Sequence, residues 1–254
     1  MRAGQSAAAD PALFTVLKIP ALLHARRVCR PGAETSAADD DWLVWQLADS
    51  AFPTGAFAHS GGLEAAWQHG EVPNASELAS FLEASLEQLG HGSLPFVTTA
   101  HDEPDTAGEL DRLCDSFLTN HVANRASRLQ GRSFLASSGR IFHSLEVGRA
   151  AKSFPMGHFP PAFGAVARRL GVSRSGAASL FFFQHLRGLV AGAVRLGIAG
   201  PMEGQALQHR LAPRAQAILS QSENLTVADI AQTAPLLDLW QGTQDRLYSR
   251  LFQS

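Results

Sequence analysis

The segment from Asp49 to Glu64 carries the residue types in this chain that are best able to do chemistry, in the order DSAFPTGAFAHSGGLE. His59 and Ser60 are adjacent and are followed by two glycines. This Ala-His-Ser-Gly-Gly stretch fits a relaxed nucleophile elbow, in which a serine at a tight turn attacks an acyl group. One hypothesis is therefore a serine hydrolase that uses Ser60 as its nucleophile.

The elements around this serine argue against a hydrolase. A nucleophile elbow needs a buried strand immediately before the serine, whereas Pro53 and Gly55 leave only residues 56–58 for such a strand. The competing interpretation is a helix-loop-helix corner, which we define as residues 52–64. In it the proline and the glycine end one helix, Ser60 caps the next, and Glu64 lies in the first turn, where the positive helix end favours a carboxylate.

The sequence lacks the residue spacings that are typical of metal sites and nucleotide sites. The ten histidines are scattered, with no HExxH motif and no pair four residues apart, and no GxxxxGK[ST] sequence is present. Cys29 and Cys114 are too few and too far apart for a disulfide framework or a CxxC metal clip. We therefore predict no cofactor and no metal site, so that any such chemistry belongs to partners.

Composition narrows the classes of partner. The chain has 254 residues, 45% of them hydrophobic, and a formal net charge of -2. A nucleic-acid binder or a binder of anionic membranes would need a concentrated basic field, which this balance does not indicate. The longest apolar run, residues 189–199, is interrupted by Arg195 and is shorter than the roughly 20 residues of a membrane span. Proteins or small molecules are the expected partners.

The apolar periodicity predicts helices. Apolar residues recur at spacings of three and four over 78–89, 110–118, 163–170 and from 236 onward, whereas alternating strand-like segments are absent. The prediction is an all-α fold, a single domain of about ten helices over residues 41–254. Residues 1–40, which are rich in alanine and arginine, are predicted to form a disordered extension.

Three arginines fall on one face of a predicted helix. Arg125, Arg128 and Arg132, which we call the arginine face, are spaced as i, i+3 and i+7. The stripe is either solvated and paired with local acids, or it docks an acidic partner through bidentate contacts to carboxylates. The spacing alone leaves both interpretations open.

Two further segments indicate contact surfaces. Phe181, Phe182 and Phe183 are consecutive and cover most of a helix circumference, so they cannot all face one core, and one is expected to meet another subunit or a partner. The tail, residues 247–254, is apolar and contains arginine, whereas terminal segments usually fray and are polar. It is predicted to be a docked tail or an interaction peptide.

Taken together, the sequence from about Trp42 to Ser254 resembles the urease accessory protein F (UreF) family. Five elements carry the resemblance in the family's order: residues 52–64 (P-x-G-G-[FY]-x-[HY]-S-x-G-L-E), 125–131 (R-x-S-x-x-Q-G), 158–164 (H-x-P-x-x-F-G), 194–205 (R-L-G…G-Q) and 247–254 (Y-S-R-L-F-x-S). Three positions depart from the pattern. Ala56 replaces the second glycine, Gln244 stands where histidine is common, and Glu203 replaces aspartate.

The resemblance implies an all-helical, homodimeric, non-enzymatic scaffold in urease maturation. In that family the protein joins the accessory protein UreD, also called UreH, and the GTPase UreG, and the assembly delivers nickel to apo-urease. GTP is hydrolysed in the partner, and regulation of that GTPase is a suggested role. Nickel and GTP are accordingly expected to be handled by partners, and the chain is expected to be cytoplasmic.

The candidate contact residues follow from these elements. The partner-binding candidates lie in the corner, on the central helix and in the tail: His59, Ser60, Glu64, Arg125, Arg128, Gln130, Tyr248, Arg250, Leu251 and Phe252. The dimer-interface candidates are Phe181, Phe182 and Phe183. A further hypothesis is a GTPase activator that inserts Arg125 or Arg195 as an arginine finger into the partner's site.

Overall fold

The computed structural model describes residues 37–143 and 153–254, and within these two ranges the chain is helical and contains no strand. The all-α prediction is therefore confirmed. The first helix begins at Ala37, inside the extension predicted over residues 1–40. The rest of that predicted extension, residues 1–36, lies outside the described residues.

The helices of the described ranges agree with the prediction of about ten. They are α1 (Ala37–Ala48), α2 (Leu63–Gln68), α3 (Ala75–Gln88), α4 (Leu94–Asp102), α5 (Ala107–Phe117), α6 (His121–Ile141), α7 (Phe159–Arg169), α8 (Arg174–Arg195), α9 (Pro201–Ser222) and α10 (Pro235–Gly242). A π-helical turn, Leu89–Ser93, joins α3 to α4. Short polar residues begin several of these helices, since the Asn74, Asn120 and Ser173 side chains accept hydrogen bonds from first-turn amides.

Helix α7 lies at the centre of the fold, in contact with α4 and α6. Gly164 of α7 permits this packing, because a Cβ atom there would lie 2.0 Å from the carbonyl oxygen of Val97 on α4. Aromatic rings fill the space around it. The ring centroid of Phe163 lies 5.6 Å from that of Phe134 on α6 and 5.5 Å from that of Phe181 on α8.

The three consecutive phenylalanines separate into two environments. Phe181 and Phe182 are buried in the core of this chain, whereas Phe183 is exposed, with the Arg187 guanidinium 5.9 Å from its ring centroid. The geometric expectation that the three rings cannot face one core is confirmed. Phe181 and Phe182 are not free to form a dimer contact, because they pack inside their own chain. The dimer-interface prediction remains for Phe183.

Helix α8 is long and apolar enough to cross a membrane by length and composition. More than half of its most apolar stretch is buried inside the protein, as in the core helix of a globular domain. The run of residues 189–199 covers only the end of this helix, whose apolar character extends over more of its 22 residues. The contacts of α8 with α3, α4 and α9 explain why the helix is apolar.

A histidine between α3 and α8 makes the fold sensitive to acid. Burial lowers the pKa of His185 to about 4 from its ordinary 6.5, and its Nε2 atom lies 2.8 Å from the Ser85 hydroxyl. Between about pH 4 and pH 6.5 the His185 ring is therefore protonated in the unfolded chain and neutral in the folded chain. Stability from this site is fully present above pH 6.5 and is lost as the pH falls toward 4, by about 3 kcal/mol in total.

We expect urea denaturation at several pH values to show this loss, and the H185Q variant to be less stable at pH 7 but less sensitive to acid. Replacement of the exposed His209 by glutamine serves as the control and should leave the acid sensitivity as it is in the parent. Equal acid sensitivity in the parent and in H185Q would contradict the assignment.

Candidate functional site: the corner and the docked tail

The corner connects α1 to α2 and confirms the predicted helix-loop-helix arrangement. The residue at the N-cap position of α2 is Gly62, with φ of 89°, not Ser60 as predicted. The Ser60 hydroxyl still accepts a bond from the Glu64 amide at 3.4 Å. Glycine is needed at this cap because its φ lies in the left-handed region, and because a Cβ atom there would lie 3.0 Å from Cβ of Gln241.

The tail folds back onto the corner of the same chain. The Gln253 amide donates to the Ala58 carbonyl oxygen at 2.8 Å, and the Ser60 amide donates to the backbone oxygen of Ser254 at 2.5 Å. The Ser60 hydroxyl donates to the same Ser254 oxygen at 3.1 Å, and His59 Nδ1 lies 2.6 Å from the Ser254 hydroxyl. The corner therefore provides a set of hydrogen-bonding groups for the end of the tail.

Glu64 anchors the tail from inside the fold. Its side chain is only 2% exposed, and its carboxylate accepts hydrogen bonds from the Leu251 amide at 2.6 Å and the Phe252 amide at 3.0 Å. A third bond comes from Gln244 Nε2, at 2.6 Å. Three donors satisfy a buried charge that would otherwise be strongly unfavourable.

Phe252 provides the apolar part of the same anchor. Its ring is 4% exposed, and the guanidinium of Arg195 lies 4.3 Å from the ring centroid. Arg195 also donates to the Phe57 carbonyl oxygen at 2.5 Å. The stacked cation and the buried ring hold the tail against α8.

The tail candidates consequently divide into an inner and an outer group. Tyr248 is fully exposed, and Arg250 and Leu251 are exposed to about half of their area or less. Partner binding stays a prediction for these three. Phe252 faces inward, as do Ser60 and Glu64 in the corner, so their groups are occupied by contacts within the chain. The inner side of the tail is thus docked on the same chain, as one prediction states, and its outer side is the part that could contact a partner, as the other prediction states.

The geometry at Ser60 does not support a hydrolase. The residue is 1% exposed, its hydroxyl is bonded to the backbone of Ser254, and the adjacent His59 is bonded to the Ser254 hydroxyl rather than to Ser60. No strand precedes it in the part of the chain that the structure describes. Burial and the charge of Arg125 lower the pKa of His59, which keeps the ring neutral beside the tail.

The arginine face reaches the segment just before the tail. Arg125 donates two hydrogen bonds to the Asp245 carboxylate, at 2.9 and 2.8 Å, and Arg250 donates to the same carboxylate at 3.0 Å. His121 Nε2 lies 3.4 Å from it. The hydrogen bond from Arg125 lowers the pKa of Asp245, so the carboxylate stays ionised. Arg125 is thus paired with a local acid, as one of the two interpretations of the arginine face expects, and the docking of an acidic partner stays a prediction.

The three arginines also line a cleft of about 440 Å³ beside α6, which also contains Leu118, Leu129 and His121. Arg125 and Arg132 are exposed and Arg128 is partly exposed. The three arginines therefore line one open cleft. Gln130 is partly exposed and has no side-chain hydrogen bond to another described residue, so its predicted contact with a partner stays a prediction.

Sequence reasoning missed a second polar centre, at the start of α7. Asp111 of α5 is fully buried and accepts backbone hydrogen bonds from Met156 at 2.6 Å, Gly157 at 3.0 Å and His158 at 2.8 Å. An aspartate that accepts three amide bonds fixes the chain as it enters the central helix.

The buried His158 ring is held between two partners. Its Nδ1 atom lies 3.0 Å from the Ser127 hydroxyl, and its Nε2 atom lies 3.0 Å from the Asp115 carboxylate. Burial lowers the pKa of His158, so the neutral ring donates from Nε2 to Asp115. Asp111 lies on the face of α5 that is otherwise formed by Ala107, Leu110 and Cys114, and a carboxylate on this apolar face was the available signal for this centre.

Comparison with known proteins identifies the family. The UreF family model matches residues 72–212. Urease accessory protein F of Oryza sativa subsp. indica is 37% identical over 222 residues, which cover 83% of this chain and 84% of the rice protein. The protein of the same name in Arabidopsis thaliana is 36% identical over 84% of this chain and 92% of its own length. Urease accessory protein UreF of Paenarthrobacter aurescens is 32% identical over 82% and 96%.

The chain belongs to the UreF family. Its general role is therefore that of a urease accessory protein, and membership implies interaction with other urease maturation proteins. Sequence elements that carry the resemblance to the family also contact one another in the fold. The UreF corner binds the tail, and Ser127 of the R-x-S-x-x-Q-G element binds His158 of the H-x-P-x-x-F-G element. Gly131 allows this second contact, because a Cβ atom there would lie 2.2 Å from the Gly157 oxygen.

Proposed function

We propose that this UreF chain is a non-enzymatic scaffold that assembles in the cytoplasm with a UreD (UreH)-type protein and a UreG-type GTPase. The assembly delivers nickel, as cargo, to apo-urease, and GTP is hydrolysed in the GTPase. The names of the relatives support the urease accessory role. The finer assignment of partners rests on the family resemblance and on the surface that the tail presents.

The observation that carries the proposal is the two-sided tail. Hydrogen bonds from the Leu251 and Phe252 amides to Glu64 fix the backbone, while the side chains of Tyr248 and Leu251 extend into solvent. Aromatic and aliphatic side chains on a fixed backbone lose little conformational entropy on binding, which is typical of the anchors of protein interfaces. We place the contact with the UreD-type partner on this outer side.

Regulation of the partner's GTPase is proposed to act through assembly. Arg195 is stacked on Phe252, and Arg125 is paired with Asp245. An arginine finger from either position would first have to break these contacts, which disfavours direct insertion into a nucleotide site. Self-association is proposed to use the exposed ring of Phe183 on α8.

The test is a pull-down with the purified UreD-type partner. The double variant Y248A/L251A is expected to weaken capture at least about tenfold, because Tyr248 is fully exposed and Leu251 is half exposed, so their loss mainly removes contacts with a partner. Stability should change by less than about 0.5 kcal/mol. Point variants are preferable to truncation of the tail, since truncation would remove two donors of Glu64 and uncover the site of Phe252.

The matched control is L113A/M202A, which removes two exposed apolar side chains elsewhere on the surface. It should leave capture as it is in the parent. Undiminished capture by Y248A/L251A would refute the assignment of the tail. Labelling of Ser60 by a fluorophosphonate probe would instead support the hydrolase alternative.

A further inference from the structure

The cleft beside α6 contains positive charge that the described residues neutralise only in part. Arg125 is paired with Asp245, whereas Arg128 and Arg132 form no ion pair with any described residue. Hydrogen bonds from Asn124 and His158, and the nearby charge of Arg128, lower the pKa of Asp115. The Asp115 carboxylate therefore offsets part of the Arg128 charge without forming an ion pair with it. Two guanidinium groups, one turn apart on α6, are therefore left for an outside ligand.

The lining of the cleft favours carboxylates over phosphate. A phosphate site at this end of α6 would use the free amides of the first turn, but the Asn120 side chain already accepts from the Val122 amide at 3.0 Å and the Ala123 amide at 3.5 Å. The Asp245 carboxylate is already held by Arg125 in bidentate geometry, so a carboxylate fits this face of α6.

The wall of the cleft also contains apolar surface. Leu129 is exposed and lies on α6 next to Arg128, and Leu118 lines the cleft from the chain before α6. A free anion would gain nothing from these side chains. A peptide with acidic and aliphatic residues would use both the charged and the apolar surface.

From these observations we infer that the cleft binds an acidic, leucine-containing segment of a partner protein, with its carboxylates on Arg128 and Arg132 and an aliphatic side chain on Leu129. The inference deepens the proposed function, on which it rests for the identity of the partner as a urease maturation protein. Asp245 orders the cleft by holding Arg125, which leaves the next two arginines of the face for the ligand.

The probe is a fluorescein-labelled peptide of alternating glutamate and leucine, and its counterpart has glutamine in place of glutamate. Fluorescence anisotropy with the full chain should show binding of the glutamate peptide and at least about tenfold weaker binding of the glutamine peptide. The variant R128E/R132E should weaken binding of the glutamate peptide at least about tenfold. The variant R168E/R210E, which makes the same charge change at exposed positions of α7 and α9, should change it less than about threefold.

Equal binding of the two peptides, or equal losses in the two charge-reversal variants, would overturn the inference in favour of general electrostatic attraction. Displacement of the peptide by inorganic phosphate at the same ionic strength as a chloride control would identify the cleft as an oxyanion site and would also overturn it. These results do not depend on the UreD-type pull-down. Failure here with a retained effect of Y248A/L251A would leave the proposed function intact.

Discussion

The E64A variant is expected to release the tail and to lower the free energy of unfolding by about 3 kcal/mol, because three hydrogen-bond donors lose their shared acceptor. Two of these donors are the Leu251 and Phe252 amides, so the effect should concentrate at the tail. Hydrogen exchange should show faster exchange of these two amides, and urea denaturation should show the loss of stability.

The matched control is E77A, since Glu77 also lies in the first turn of a helix but is exposed and makes no side-chain hydrogen bond to a described residue. Its stability should stay within about 0.5 kcal/mol of the parent. Slow exchange of the Leu251 and Phe252 amides in E64A would show that Phe252 and Arg195 hold the tail without the carboxylate, and would contradict the anchoring role of Glu64.

The D111A variant is expected to have a larger effect on stability, a loss of about 4 kcal/mol. Removal of this fully buried carboxylate leaves three backbone amides, those of Met156, Gly157 and His158, without their acceptor at the entry to α7. Because α7 is the central helix, we expect the loss in the global unfolding transition rather than in local fraying. Chemical denaturation followed by circular dichroism measures it.

E109A provides the comparison on the same helix, because Glu109 lies in the first turn of α5 and is exposed. The E109A variant should lower the free energy of unfolding by less than about 0.5 kcal/mol. A D111A protein as stable as E109A would mean that water or a shifted backbone satisfies the three amides, and the capping role would then be wrong.

Local signals in the sequence determined most of the secondary structure. Apolar residues at spacings of three and four place side chains on one face of a helix whatever the rest of the chain does, and Asn74 caps α3 through its own side chain. Pro53 and Gly55 likewise indicated a break in the helical pattern, and α1 ends at Ala48, shortly before them. For this reason the sequence alone was enough to predict the all-α class, the corner and the shared face of the three arginines.

Contacts between distant residues decided what those elements do. The Glu64 carboxylate is bonded to Leu251, 187 residues further along the chain, and Arg125 is paired with Asp245, 120 residues away. No periodicity relates such positions, so the sequence could not show that Ser60 and Glu64 of the corner bind the tail. The interior role of Phe252 and its exposed neighbour Leu251 also follow only from the docked geometry.

The difference between local signals and contacts of distant residues also applies to the three phenylalanines of α8 and to the acidic centre at Asp111. Helical geometry alone showed that Phe181, Phe182 and Phe183 point in different directions, but only the packing of α7 and α4 against α8 determined that Phe183 is the exposed one. Likewise, the spacing of Asp111 and Asp115 placed two acids on one face of α5, and only the approach of residues 156–158 gave the buried Asp111 its three donors. Local propensity is a property of neighbouring residues, whereas burial and pairing are properties of the folded whole.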